Sequence, residues 1–129
     1  MGHRIVPKPW LLRLLTAKYQ WVTFLPCIYA PEGRELSRPL LEHELCHMAQ
    51  QRGEGRWLYL LKYLCSRSYR LRMEAEAMAV EFWHSPPGRA DDLIKNYARL
   101  LASRAYLWCA KDPATAELAI RRAIWGADA

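Results

Sequence analysis

The chain of 129 residues has no long apolar run and no internal repeat. No stretch approaches the roughly 20 apolar residues that a membrane-spanning helix requires, so no membrane span is expected. The apolar residues 10–15 are interrupted by Arg13 and followed by Lys18, and no small-residue cleavage site appears, which argues against a signal peptide. These absences predict a cytoplasmic protein.

The four cysteines, Cys27, Cys46, Cys65 and Cys109, are few and far apart, and no two of them form a CxxC pair. Small secreted domains that depend on disulfides have a much denser cysteine pattern. A reducing compartment is therefore the simpler interpretation, which agrees with a cytoplasmic location.

Basic residues outnumber acidic ones by 19 to 13, giving a formal charge of +6, but they form no continuous run. A basic arm that binds nucleic acid would show such a block. Tryptophan and tyrosine side chains could stack on bases, yet most of the tryptophans lie among Leu, Ala and Ile at helical spacing. That spacing is typical of core residues, here Trp10, Trp57, Trp83, Trp108 and Trp125. Nucleic acid is an alternative partner that the sequence does not favour.

The length predicts one domain over residues 1–129, and the pattern predicts the α+β class with mostly helical content. Residues 21–25 are rich in aromatic and β-branched side chains, which favour a strand. Pro26 would limit this strand to a sheet edge or a bulge before it resumes at residues 27–29. Pro31 begins a predicted turn at residues 31–33.

Capping residues delimit the predicted helices. Ser37 is a suitable N-cap for a first helix, and Gly53 is a suitable residue for its end. Residues 57–65 and 68–83 have helical spacing of their apolar residues and could form one continuous helix. The sequence Ser-Pro-Pro-Gly at residues 85–88 ends this helical region.

Two further helices are predicted at the C-terminus. One begins near Asp91, and the other has Asp112 as its N-cap and Gly126 just past its end. Together they form a predicted helical cap over residues 89–126.

The main chemical signal is His43-Glu44-Leu45-Cys46-His47 within the first helix. Residues four apart project from one face of a helix, so the two imidazoles can bind one metal ion. Glu44 lies about 100° around the helix from His43, outside the ligand set but within reach of a water on the metal. Two ligands and one general base are what a metal hydrolase requires.

A catalytic zinc usually takes a third protein ligand. Because His3 and His84 are the only other histidines, a carboxylate is the natural choice, and Glu74 and Glu76 are the candidates. Glu74 borders the apolar stripe of its helix, formed by Leu71, Ala75, Met78 and Phe82, whereas Glu76 points away from it. An inward-facing ligand favours Glu74.

These motifs resemble the gluzincin branch of zinc peptidases, in particular minigluzincins and short zincin-like proteins of phage and bacterial genomes. The resemblance covers roughly residues 18–84. It rests on a strand at residues 21–25, the HELxHxxQ pattern at residues 43–50, Lys-Tyr-Leu at residues 62–64 and Glu-x-Glu-Ala at residues 74–77. It implies a zincin-like core at residues 18–84 with a small edge-strand sheet or hairpin before the HExxH helix.

The resemblance also implies a function. One Zn²⁺ would be held by His43, His47 and Glu74, and Glu44 would act as general base in the hydrolysis of a peptide or protein substrate. The substrate would lie extended beside residues 21–25. A second oxyanion donor is expected from Tyr69, Arg70 or His84. Relatives often carry Asp at the position of Met78, where it supports a ligand histidine. This chain departs from that pattern, and loss of such support can cost about 10–100-fold in metal affinity or activity.

Two alternatives stay open. His43, Cys46, His47 and Cys65 could form a closed structural zinc site, which would leave Glu44 without a role and would suit a DNA-associated protein. The chain could also be a non-catalytic binding module with a zincin fold. The sequence does not indicate an oligomeric state.

Overall fold

A computed structural model describes residues 4–9, 12–13, 20–31 and 36–126. The three strands are β1 (Arg4–Pro7), β2 (Val22–Phe24) and β3 (Cys27–Ala30). The five α-helices with fully described bounds are α1 (Arg38–Glu54), α2 (Arg56–Cys65), α3 (Arg67–Trp83), α4 (Ala90–Leu101) and α5 (Pro113–Trp125). Short 3₁₀ helices lie at Pro87–Arg89 and Arg104–Tyr106. The predicted α+β class with mostly helical content is confirmed.

Several predictions concern residues that are only partly described. Of the apolar residues 10–15, residues 12 and 13 are described and are helical. Of the predicted turn, residues 32 and 33 lie outside the described residues. None of the described helices is both long enough and apolar enough to cross a membrane.

The strands form one sheet in the order β1-β3-β2, in which β3 pairs with β1 in parallel and with β2 antiparallel. The predicted interruption at Pro26 is therefore the turn of a hairpin and not a bulge within one strand. β1 was not predicted, because Pro7 and Pro9 suggest an irregular start. The structure pairs Ile5 with Ile28, and this distant partner could not be read from the local sequence.

The helix boundaries follow capping residues, with two corrections. Ser37 caps α1 as predicted, since its hydroxyl accepts from the Leu40 amide, but the helix continues past Gly53 to Glu54, and Gly55 is its C-cap. Gly55 has a φ of +91°, which suits glycine at a helix end. α2 and α3 are separate helices, because Ser66 is extended (φ −119°, ψ 110°) and its side chain accepts from the Tyr69 amide.

The predicted C-terminal helices are confirmed, and Asp112 caps α5 by accepting from the Thr115 amide at 2.7 Å. α3 packs against α1 on one side and against α4 and α5 on another. The contact of α3 with α4 and α5 contains a cluster of buried apolar residues: Ala75, Met78, Ala79, Ile94, Ala98, Leu101, Cys109, Ala110, Ala116, Ile120 and Ile124. The C-terminal helices thus build a core together with α3, and Met78 is part of it.

The prediction that the tryptophans are core residues is wrong for the four that the structure describes. Trp57, Trp83, Trp108 and Trp125 are between 48% and 64% exposed. Helical spacing identifies an apolar face, but it does not show whether another element covers that face. Trp10 lies outside the described residues.

Candidate metal centre

Three side chains from two helices converge on one point. α1 supplies His43 and His47, one turn apart, and α3 supplies Glu74. Nε2 of His47 lies 3.2 Å from Nε2 of His43 and 3.1 Å from Oε1 of Glu74, and Nε2 of His43 lies 3.7 Å from that oxygen. The structure thus brings together the histidines and the carboxylate selected from the sequence.

The spacing of these atoms fits a tetrahedral zinc ion. Zinc binds imidazole nitrogen and carboxylate oxygen at about 2.0–2.2 Å, so two ligand atoms on a tetrahedron lie about 3.3 Å apart. The observed separations of 3.1, 3.2 and 3.7 Å bracket this value. Two imidazoles and one carboxylate leave a fourth position for water or substrate, as in catalytic zinc sites. The three residues could therefore hold one ion.

The second nitrogen of each imidazole faces a further side chain. Nδ1 of His43 lies 2.8 Å from Oε1 of Glu81, although the direction is not ideal for a hydrogen bond. Both atoms are buried, and neither has another hydrogen-bond partner among the described residues. Nδ1 of His47 donates to Oε1 of Gln50 at 2.9 Å. A proton on each Nδ1 leaves the Nε2 lone pair for a cation, so these contacts favour the tautomer that a metal ion needs.

The two candidate carboxylates of α3 have different surroundings. The Tyr63 hydroxyl donates to Oε2 of Glu74 at 2.7 Å, which leaves Oε1 facing the histidines. Glu76 is exposed, and its Oε2 accepts from Nε2 of Gln50 at 3.1 Å. Of the two carboxylates, Glu74 is therefore the one placed to complete a ligand set with the histidines, whereas Glu76 helps to hold the glutamine that contacts His47.

The charges of the cluster shift its titration. Burial alone would lower the pKa of His43, but the carboxylates of Glu74 and Glu81 raise it to about 10. Burial also opposes the charge on His47, whose pKa is nevertheless raised, mainly by Glu74. The pKa of Glu74 is lowered by both histidines against the effect of burial. A metal ion that enters this site must displace protons from the imidazoles.

Glu44 is buried beside the cluster without belonging to it. Its Oε2 accepts from the Thr23 hydroxyl at 2.5 Å. No described residue forms a hydrogen bond with Oε1 of Glu44. Glu44, Thr23 and the three residues of the cluster all line one cleft. Thr23, from β2, therefore orients Glu44 and leaves one carboxylate oxygen available to a reactant.

The cluster lies in a cleft of about 890 Å³. β2, α1, α2, α3 and the 3₁₀ helix Arg104–Tyr106 contribute to its walls. Most of the lining is apolar or aromatic, including Val22, Phe24, Leu60, Leu64 and Leu107. Such a cleft suits an extended segment that carries apolar side chains.

Some backbone groups of β2, the strand beside the cleft, and of the turn after it are already hydrogen-bonded to a side chain of α1. The fully buried Gln51 accepts from the Leu25 amide at 2.7 Å and donates to the Thr23 carbonyl at 2.7 Å. Two backbone groups at this end of the hairpin are therefore not available to an added strand. An extended substrate would have to pair nearer to Trp21, which also lines the cleft.

None of the three predicted oxyanion donors lines the cleft. The guanidinium of Arg70 binds the carbonyl oxygens of Tyr63, Leu64 and Leu107. His84 is exposed at the end of α3, where its ring contacts the Val80 carbonyl. Tyr69 packs edge-on against Tyr59, outside the cleft lining.

Tyrosines that do line the cleft are Tyr29, Tyr59, Tyr63 and Tyr106. Among the described residues, Tyr106 has no hydrogen-bond partner for its hydroxyl. Burial and the charges of Glu74, Glu44 and Glu81 raise the pKa of Tyr106 well above its ordinary value. This hydroxyl keeps its proton and is free to donate it in a hydrogen bond within the cleft.

The alternative site with cysteine ligands is not assembled. His43, His47 and Glu74 form the only group of three potential ligands found among the described residues. Cys65 is exposed, and burial and nearby carboxylates raise the pKa of the Cys46 thiol to about 11. Neither Cys46 nor Cys65 belongs to the group of potential ligands that contains the two histidines.

Sequence reasoning missed three residues that support the site. Glu81 lies seven residues after Glu74, so the two share a helix face, and this spacing was a readable signal. Gln50 lies three residues after His47 and was equally within reach. Thr23 gave no signal, because its contact with Glu44 depends on how β2 packs on α1.

No protein-family model, curated protein or solved structure matches this chain.

Proposed function

We propose that this chain is a zinc-dependent peptidase with a zincin-like core, in which His43, His47 and Glu74 hold one Zn²⁺ and Glu44 is the general base. The observation that carries the proposal is the pairing of this cluster with a separate carboxylate in the same cleft. A site with a purely structural metal ion has no need for Glu44 to be buried there. The unpaired state of all four cysteines supports a cytoplasmic location.

When bound, zinc would lower the pKa of a water ligand toward about 7 and polarise a peptide carbonyl. Glu44 would accept a proton from the attacking water and deliver it to the leaving amine. Thr23 would keep Glu44 oriented for both transfers. Glu81 and Gln50 would hold the two imidazoles in the tautomer and direction that the cation requires.

Tyr106 would donate a hydrogen bond to the carbonyl oxygen on which negative charge develops. Its hydroxyl accepts from and donates to no other described residue, and its raised pKa keeps it protonated, both of which support this role. The apolar cleft lining supports a peptide or protein substrate with apolar side chains next to the cleaved bond.

The support for a gluzincin-like arrangement comes from the order and contacts of the elements. A short hairpin precedes the HExxH helix, and a later helix supplies the carboxylate. Glu81 would provide to His43 the contact that, in the gluzincins this chain resembles, an Asp at the position of Met78 makes.

The proposal is tested with purified protein, by metal analysis and by mass-spectrometric detection of cleavage in a peptide library. We expect stoichiometric zinc in the wild type. Glu44→Gln should keep zinc and lose cleavage, and Glu74→Ala should weaken zinc binding by more than Glu76→Ala, a matched control on the same helix. Zinc binding without any Glu44-dependent cleavage would contradict the peptidase assignment and indicate a binding module.

A further inference from the structure

Several large apolar side chains near the cleft lie exposed. We call this set the apolar face; it consists of Trp57, Leu58, Leu61 and Leu64 of α2 together with Leu107 and Trp108. These residues are between 46% and 64% exposed. At about 100° per residue, the four residues of α2 fall within an arc of about 120°. An exposed surface of this kind marks a site of interaction.

Two arginines, the buried Arg70 and the exposed Arg67, hold the α2 part of the apolar face next to Leu107 and Trp108. Nη1 of Arg70 donates to the Leu64 carbonyl at 3.1 Å, and its Nη2 donates to the Leu107 carbonyl at 3.3 Å. Nε of Arg67 donates to the Trp108 carbonyl at 2.7 Å. Leu107 and Trp108 have φ angles of 54° and 48°, a backbone conformation that such residues rarely adopt. The turn is thus held in a form that presents both side chains to solvent.

A substrate in the cleft would not cover this face. Leu64 and Leu107 line the cleft, but Trp57, Leu58, Leu61 and Trp108 do not. The face therefore needs an occupant other than the segment held at the metal centre.

The charges around the face identify the kind of occupant. Residues 56–72 contain five basic residues and no acidic one. Arg56, Lys62, Arg67 and Arg72 are exposed, and Lys62 also pairs with Glu54. Two copies of the face packed together would bring Arg56, Arg67 and Arg72 of each copy against those of the other, and none of these three has an ion pair among the described residues, whereas Glu54 is already paired with Lys62. An anionic lipid surface, in contrast, offers phosphates to the cations and an apolar layer to Trp and Leu.

We propose that α2 and the turn at Leu107 and Trp108 dock this protein on an anionic lipid surface. The apolar face enters the boundary between headgroups and acyl chains, and the exposed basic side chains contact lipid phosphates. Because Leu64 and Leu107 belong both to the face and to the cleft lining, docking places the mouth of the cleft at the membrane. The inference does not depend on peptidase activity.

The test is co-sedimentation of the full chain with vesicles of phosphatidylcholine alone and of phosphatidylcholine mixed with phosphatidylglycerol. We expect binding to the mixed vesicles that weakens as salt is raised, and much weaker binding to the neutral ones. Trp57→Ala combined with Leu61→Ala should reduce binding about tenfold or more, since two large apolar contacts are lost. Trp83→Ala, which removes an exposed tryptophan outside the face, should bind like the wild type.

Circular dichroism and zinc content would confirm that each variant is folded. Equal sedimentation of wild type and the double variant would overturn the proposal, as would absence of binding to the anionic vesicles. A dimer that the double variant abolishes would also overturn it, because a second copy would then be the occupant. Glu44→Gln should bind vesicles normally, so a failure of the peptidase proposal is distinguishable from a failure of docking.

Discussion

Oε1 of Glu81 lies 2.8 Å from Nδ1 of His43, two helical turns beyond the Glu74 carboxylate that faces the other nitrogen of the same ring. One helix therefore contacts both sides of a single imidazole. This arrangement fixes the ring between the carboxylates of Glu74 and Glu81, and it makes the role of Glu81 open to direct measurement.

Glu81→Gln should weaken zinc binding by about 10–100-fold, because a supporting carboxylate that orients a ligand histidine contributes about that much. Competition with a chelator of known affinity measures the change. Glu117→Gln removes a charge from α5, where the carboxylate pairs with Arg121, and should change zinc affinity far less. Equal effects of the two variants would show that only the overall charge matters.

Zinc affinity should keep rising with pH well above the ordinary pKa of histidine. Zinc requires a neutral imidazole, and the carboxylates around His43 raise its pKa from 6.5 to about 10 in the metal-free protein. Below pH 10 a proton therefore competes with zinc, and affinity should increase about tenfold per pH unit for each proton displaced. Chelator titrations at several pH values check this, and a plateau just above pH 7 would contradict it.

Tyr106→Phe should lower kcat by about 100-fold with little change in KM, because the lost donor acts on charge that develops in the transition state. Tyr29→Phe is a suitable control, since Tyr29 also lines the cleft. Steady-state kinetics on one cleaved peptide distinguish the two effects. A rise in KM at constant kcat would assign Tyr106 to substrate binding.

Gln51→Ala should reduce the free energy of unfolding by about 1–3 kcal/mol, because the Thr23 carbonyl and the Leu25 amide lose their partner. Urea denaturation measures the loss. Arg52→Ala, at the exposed next position, should be nearly neutral. Cleavage should also fall in Gln51→Ala, since Thr23 positions Glu44; full activity would show that β2 stays in place without the amide.

The arrangement of the site residues within each single helix, α1 or α3, could be predicted from the sequence. Helix geometry alone places His43, His47 and Glu44, and the apolar stripe of α3 is enough to choose Glu74. Capping residues located most helix ends to within two residues, as at Ser37 and Asp112.

The rest depends on contacts between distant segments. The pairing of β1 with β3 and the contact of Thr23 with Glu44 result from packing that no local pattern encodes. The exposure of Trp57 and Trp108 could not be predicted either, because an apolar helix face has the same sequence pattern whether or not another element covers it. Tyr106 comes from the predicted C-terminal cap, which the sequence gave no reason to connect with the cleft.

The Arg70 guanidinium donates hydrogen bonds to the carbonyl oxygens of Tyr63, Leu64 and Leu107. These bonds limit how far the protein can be shortened. A fragment that stops after residue 84 would keep His43, His47 and Glu74, the proposed metal ligands. It would also leave the guanidinium without one of its acceptors, strip the apolar side of α3 of its covering, and remove one wall of the cleft. We therefore expect that a stably folded fragment must extend through α5.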